Sequence, residues 1–441
     1  MDIIRFDTEK EYGPLRRMNA VNNGPVFKRH ASDQNSGGNM GLYRALRLPY
    51  ARNHDANYCS SYGGPYTVDI SSVFPNFDAD ENDPASYDFT CTDEYVAVTA
   101  LSGTETFYRL GQTIEHRIKK YHIFPPKDFA KWARICEHVI MHYNYGWADG
   151  FEYGLKYWEI WNEPDLGIND DNKRTWTGTS EQFYDLYEIT AKHLKSRFPE
   201  LKIGGPAVTF PNEWAEGFLA EMRRRDVPMD FFSWHVYARE PEWILEGTRR
   251  AREMMNKNGY ESAESILNEW NYVRGWEGIN FKYSLKAIEG TKGGSFALAT
   301  MAECQKKSDV DMLMYYDARP SGFNGIFDDY YDTKPTYYSL LWFADLKDNG
   351  NEIRCEGAPE GVFTLATKSE CGRVMAAITY YVEREELAEN KTVELNFGGV
   401  RGFECYILDG ESGRITYEAR RDLVFELKPF TTVFIKELKK C

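Results

Sequence analysis

The chain has 441 residues, 42% hydrophobic and 27% charged, the ordinary composition of a folded protein with a sizeable core. Its formal net charge of −15, from 53 Lys and Arg against 68 Asp and Glu, repels phosphates and anionic bilayers and argues against nucleic acid or membrane partners. No stretch approaches the roughly 18 apolar residues of a membrane span.

The chain opens on MDIIRFDTEK, which lacks the basic and apolar regions of a secretion signal. Residues 1–13 can supply a strand to a later sheet. The cysteines at 59, 91, 136, 304, 355, 371, 405 and 441 form no C-x-x-C pair, so free thiols in a cytoplasmic protein are expected. Short apolar runs at 16–21, 46–52 and 104–109 read as strands. Between the second and third of these, residues 55–90 are rich in Tyr, Asn, Asp, Ser, Gly and Pro without a period. A loop that long in a compact domain is usually functional, and it is expected to wall a substrate pocket.

From there strands and helices alternate. Residues 126–143 carry Trp132, Ile135, Cys136, Val139, Ile140 and Tyr143 at helical spacing, and residues 180–198 open on the capping-box pattern Thr179-x-x-Gln182. The intervening runs KYWEIWN (156–162), LKIGGPAV (201–208), MDFFSWHVYA (229–238), ESILNEWN (264–271) and VDMLMYYDA (310–318) bring the strand count to eight. Continuous apolar strands joined by helices point to a parallel sheet. Eight of them fit a closed (β/α)₈ TIM barrel, and the Gly-rich nucleotide loop of an open doubly wound sheet is missing. Beyond residue 350, short runs with several alternating patterns read as an antiparallel β-sandwich. The expected division is a barrel over 14–345 and a sandwich over 346–441, completed by residues 1–13.

Two strand ends carry a glutamate beside an asparagine: Trp161-Asn162-Glu163-Pro164 and Asn268-Glu269-Trp270-Asn271. Barrel enzymes place their reacting groups at strand C-termini. Glycosidic bond cleavage needs one carboxylic acid to protonate the leaving oxygen and one carboxylate to meet the developing cation. His235 and Tyr237 lie two apart on one strand and share a face. Glu159 has the strand parity of Glu163, so it is expected to point into the barrel with Arg47 or Arg109 as partner. His138 and His142 have i, i+4 spacing, but the segment is not H-E-x-x-H and no metal site is expected there.

W-N-E-P and N-E-W-N, with VNNGP (21–25), RNHD (52–55), RLGQTIEH (109–116) and WHVYA (234–238), resemble the clan A glycoside hydrolases. They are most similar to family 39, the β-xylosidase and α-L-iduronidase family. The resemblance implies a retaining exo-glycosidase without cofactor or metal. It makes Glu163 the acid/base, Glu269 the nucleophile, Asn162 the partner of the substrate 2-hydroxyl, Tyr237 a donor to the nucleophile and His54 a ligand of a sugar hydroxyl. His235, Asp55, Trp270 and Tyr315 are further candidates for the pocket wall. The substrate it implies first is a β-D-xyloside, with an α-L-arabinopyranoside, β-galactoside or α-L-iduronide as alternatives. Transglycosylation, a non-catalytic carbohydrate-binding role and homo-oligomeric assembly are left open.

Overall fold

The computed structural model describes residues 1–27, 38–56, 67–320, 323, 325–399 and 401–438. After an N-terminal strand β1 (Asp2–Phe6), eight parallel strands close into a barrel in chain order: β2 (Arg17–Asn22), β3 (Tyr50–Arg52), β4 (Glu105–Leu110), β5 (Tyr157–Ile160), β6 (Lys202–Val208), β7 (Phe231–Ala238), β8 (Glu264–Tyr272) and β9 (Met312–Tyr315). The TIM barrel expected from the alternating pattern is therefore the fold. Its interior is layered. Ala20, Tyr50, Phe107, Tyr157, Phe231, Ile266, Met312 and Met314 form an apolar plug at the N-terminal side of the strands, with Arg17 and Glu264 meeting the Tyr157 hydroxyl at its N-terminal edge and the paired glutamates C-terminal to it.

The helices follow local rules with small boundary shifts. Thr179 and Gln182 make the reciprocal capping box that starts helix Ser180–Arg197. The helix expected from residue 126 begins instead at Phe129, because the Asp128 side chain caps the Lys131 amide, and it runs to Tyr145 before Gly146 turns left-handed. On that helix His142 gives one ring nitrogen to the Trp147 carbonyl and the other to Asp93, while His138 contacts the Arg134 carbonyl. The two rings serve packing.

Part of the 55–90 connection departs from expectation. Residues 57–66 lie outside the described residues. Asp69 holds the top of β4 through Arg109 at 2.7 Å, but the chain then leaves the barrel mouth. Asp78, Glu81 and Tyr87 pack on Lys127, Arg134 and His138, along the outer helix and its approach. Residues 74–89 brace that helix through Glu81 on Lys131 and Arg134 and through the Tyr87 ring on His138.

The C-terminal strands are β10 (Asn351–Ile353), β11 (Cys355–Glu356), β12 (Val362–Lys368), β13 (Val374–Tyr380), β14 (Lys391–Asn396), β15 (Phe403–Leu408), β16 (Ile415–Arg420), β17 (Val424–Leu427) and β18 (Thr432–Glu437). They form two sheets, ordered β11-β1-β14-β17 and β10-β12-β13-β18-β15-β16, around a second apolar core that includes Ile4, Phe6, Val393, Phe425 and Ile435. β1 pairs with β14 in parallel, so the sandwich is antiparallel except at that junction. Helix Pro335–Asn349 runs from the barrel directly into β10. Cys91, Cys136, Cys304, Cys355 and Cys405 are free thiols as expected, whereas Cys371 is disulfide-bonded. Cys59 and Cys441 lie outside the described residues. Among the described residues no helix is long and apolar enough to cross a membrane.

Candidate active site

Above the apolar plug, at the end of β3, sits the buried cation Arg52. Its Nε meets Glu159 Oε2 at 2.6 Å, its Nη1 meets Glu269 Oε1 at 2.8 Å, and its Nη2 meets Asn162 Oδ1 at 2.6 Å. The partner expected for Glu159 was Arg47 or Arg109; neither serves. Arg47 pairs with Asp345 and Asp348 on the surface, and Arg109 with Asp69. Burial works against the charge of Arg52, but Glu159 and Glu269 more than offset it and hold its pKa above the ordinary arginine value. The other oxygen of Glu159 accepts from Ser233 Oγ at 2.6 Å and Asn268 Nδ2 at 2.5 Å, so both oxygens of this buried carboxylate are met.

Removing Arg52 is expected to leave two carboxylates buried without their cation. Arg52→Met should therefore cost about 3–5 kcal/mol of stability in denaturant unfolding and abolish turnover. Adding Glu159→Gln should restore part of the stability and none of the activity. Wild-type stability in the single variant would show that Glu159 and Glu269 find other partners.

The layer that carries Glu163 lies one step higher. Regular alternation along β5 ends at Ile160. Trp161 and Glu163 then adopt positive φ, 75° and 47°, uncommon for non-glycine residues. The turn sends Trp161 outward, where its Nε1 donates to the Thr175 carbonyl at 3.0 Å, and turns the adjacent Asn162 and Glu163 inward together. The Glu163 amide donates to the Ala207 carbonyl at 2.9 Å, and the Thr175 hydroxyl donates to the Glu163 carbonyl, which holds the turn from both sides.

A bulge does the same for the second glutamate. The pairings Trp234↔Leu267 and His235↔Glu269 leave one extra residue in β8. Asn268 and Glu269 consequently both face the interior, and Trp270 faces the helices. Bulges next to active sites commonly re-aim a side chain in this way.

Glu269 Oε2 accepts from the Tyr237 hydroxyl at 2.8 Å, and Glu163 Oε1 lies 2.7 Å from His235 Nδ1. His235 also stands 3.5 Å from Glu269 Oε2. One carboxylate oxygen of Glu163, one of Glu269 and a His235 ring nitrogen fall within 4.8 Å of one another. Such a triad offers three atoms to a cation. Here, however, Glu269 Oε1 is already bound to the Arg52 guanidinium, which supplies the positive charge an ion would bring.

The two glutamates differ in surroundings. Burial, reinforced by Asp165, pushes the Glu163 carboxyl up to about 8. Burial also raises Glu269, while the Arg52 guanidinium and the Tyr237 hydrogen bond pull it back toward the ionised form. Burial lowers His235 to about 4, leaving it neutral at ordinary pH. His54 is held well below its usual value by burial and by Arg52 and Arg109. Both His54 ring nitrogens and Asn162 Nδ2 are buried without a hydrogen-bond partner among the described residues. His54 Nε2 stands 3.8 Å from Glu269 Oε1. Unmet polar atoms in a buried position beside two carboxylates suit the hydroxyls of a bound sugar.

Asp55 stands at the rim, where its Oδ2 accepts from the Tyr316 hydroxyl at 3.1 Å. Arg319 closes this rim against Asp317 at 2.6 Å and Tyr316 at 2.8 Å. Trp270 and Tyr315 do not reach the pocket. They pack edge to face on each other at 5.3 Å, and Trp270 also lies 6.3 Å from the Phe296 ring of the helix layer. The bulge explains Trp270. Tyr315 follows inward-facing Met314 and so points out. Sequence reasoning missed Arg52 as the organising cation, together with Ser233 and Asp165. For Asp165, its place two residues beyond Glu163 was the available signal.

The sequence model for Glycosyl hydrolases family 39 matches residues 3–269. A curated β-xylosidase of Geobacillus stearothermophilus is 27% identical over 265 residues, covering 52% of this chain and 49% of that protein. A β-xylosidase of Caldicellulosiruptor saccharolyticus is 31% identical over 138 residues, 31% of this chain and 25% of that one. The match thus spans at most about half the length of these relatives. Among solved structures, a glucosidase from Croceicoccus marinus superposes over 100% of both chains with a TM-score of 0.79 at 21% identity. A monomeric β-xylosidase from Caulobacter crescentus CB15 does so over 99% of both, at 0.71 and 15%. At such identities the likeness establishes the fold.

Proposed function

The chain belongs to glycosyl hydrolases family 39, and from that membership we propose that it is a retaining exo-glycosidase acting on β-D-xylosides. The observation that carries the proposal is the spacing of two carboxylates in unlike environments. Retaining enzymes hold them about 5–5.5 Å apart, and inverting ones need about 6.5–9.5 Å to fit a water. Oxygens of Glu163 and Glu269 within 4.8 Å of each other favour the first.

In the proposed reaction Glu269 attacks the anomeric carbon as the glycosidic C–O bond breaks, and Glu163 gives its proton to the departing oxygen. Glu163 then takes a proton from water, whose oxygen displaces Glu269 from the same carbon. Arg52 and Tyr237 hold Glu269 ionised for the first step. Burial keeps Glu163 protonated near neutrality. Asn162 Nδ2 and His54 supply donors to sugar hydroxyls, and hydrogen bonds of this kind strengthen toward the transition state.

Xylose as the sugar is supported by the two related β-xylosidases. A uronate is disfavoured because Arg319 and Arg52 are already committed to carboxylates. A panel of 4-nitrophenyl glycosides, followed by proton NMR of the first-formed anomer, tests both halves. The expected result is highest kcat/KM on the β-xyloside with the β-anomer released first. Release of the α-anomer would overturn the mechanism, and preference for another sugar would overturn the substrate alone.

A further inference from the structure

We propose that the sandwich takes part in the reaction: Glu383, in the segment that follows β13, is a positioning residue that fixes the ends of β7 and β8 and through them the Tyr237 hydroxyl on Glu269. The proposal rests on Glu269 being the nucleophile.

The contacts form a continuous path. Glu383 Oε1 accepts from Arg274 Nε at 2.7 Å, and its Oε2 accepts from the Tyr272 hydroxyl at 3.0 Å and stands 3.2 Å from Lys292 Nζ. Tyr272 is the last residue of β8, three beyond Glu269, and Arg274 follows it. The Arg274 guanidinium also lies 3.7 Å over the Tyr283 ring, which pins the β8 exit from its other side. From the same sandwich segment, the Tyr381 hydroxyl donates to the Arg239 carbonyl, just past the end of β7. The two strand ends are zipped by the Val273 amide on the Ala238 carbonyl at 2.9 Å. Two residues past Arg274, Trp276 sets its ring edge to face against Tyr237 at 4.9 Å, and the Tyr237 hydroxyl donates to Glu269.

Placement distinguishes this cluster from ordinary domain adhesion. A buried ion cluster contributes little net stability compared with apolar packing of the same volume, so its value lies in fixing geometry. The side chains of Glu383 and Lys292 are 9% and 5% exposed, which makes the cluster of that buried kind. It sits on the only two barrel strands that supply the nucleophile and the hydroxyl that steadies it. Loss of that hydroxyl removes a donor to the charged carboxylate, and the pKa of the carboxylate must then rise.

The test uses full-length Glu383→Gln and, as a second variant with less risk to folding, Arg274→Met, each read by melting temperature and by kcat/KM against pH on an aryl β-xyloside. Expected are a fall in kcat/KM of about 10-fold per folded molecule and an acid limb moved upward by about 0.5–1 pH unit. In a Tyr237→Phe background the same substitutions should change kcat/KM less than about 2-fold, as coupled sites do. A lowered melting temperature with an unmoved acid limb, or an undiminished effect in the Tyr237→Phe background, overturns the proposal. Carbon-13 NMR of side-chain-labelled glutamate, with Glu269 assigned through Glu269→Gln, reads the same pKa without substrate. An upward shift there upholds the coupling even where no glycoside is turned over, an outcome that would instead defeat the proposed function.

Discussion

Glu269→Gln is expected to lower kcat/KM on the best aryl glycoside by at least about 10⁴-fold, the scale on which removing a covalent nucleophile acts. The amide keeps the shape, and one oxygen can still accept from Arg52, so folding should survive. The fold is checked by circular dichroism, and the loss then belongs to chemistry. A stronger form of the experiment removes the side chain. Glu269→Gly leaves room for a small anion below the anomeric carbon, and added azide should restore turnover with an inverted glycosyl azide as product. A Gln variant with more than a tenth of wild-type activity would remove Glu269 from the role. The buried Arg52 makes the site stringent: its guanidinium nitrogens are already bonded to Glu159, Asn22, Glu269 and Asn162.

Glu163→Gln should produce a loss that depends on the leaving group. A general acid is worth about 10²–10⁴-fold where the departing oxygen needs a proton, and much less for an activated phenol. The ratio of kcat/KM for 2,4-dinitrophenyl xyloside over xylobiose should therefore rise by at least about 10-fold in the variant, and azide should here give a retained product. Wild-type kcat/KM is expected to fall above pH 8, where burial places the Glu163 carboxyl, and that basic limb should vanish in the variant.

The same group links activity to stability. The carboxyl ionises near 4.5 in the unfolded chain and near 8 in the folded one. Its folded pKa is raised, so its contribution is whole below about pH 4.5 and is lost as pH climbs through 8. Across that window the wild type should forfeit up to about 5 kcal/mol. Glu163→Gln cannot ionise, so its unfolding free energy should vary less with pH and exceed the wild type's at pH 8. Parallel pH profiles for the two proteins would contradict the raised pKa.

Much of the barrel was legible because it rests on local rules. Strands buried on both faces read as unbroken apolar runs, the Thr179–Gln182 box marks a helix start, and the two glutamates follow runs that end in Pro164 and at the Asn268–Asn271 stretch. His235 and Tyr237 could be placed on one face because β7 alternates: Ser233, His235 and Tyr237 meet the interior carboxylates. Where alternation broke, the sequence misled. Alternation places Trp270 in the pocket, but the bulge at Asn268–Glu269 turns it out; Glu159 meets Arg52 and not Arg47 or Arg109 because no periodicity says which strand end will stand opposite.

The sequence by itself determined the class of fold, the order of its elements and the pair of carboxylates, since each depends on residues close together in the chain. Tertiary structure alone decided how those carboxylates differ. Their separation, the burial that raises Glu163, the Arg52 cation more than one hundred residues from either glutamate, and the reach of the sandwich onto β7 and β8 arise only when distant segments exclude water together. Desolvation and charge depend on distance in space, and spacing along the chain carries no measure of that.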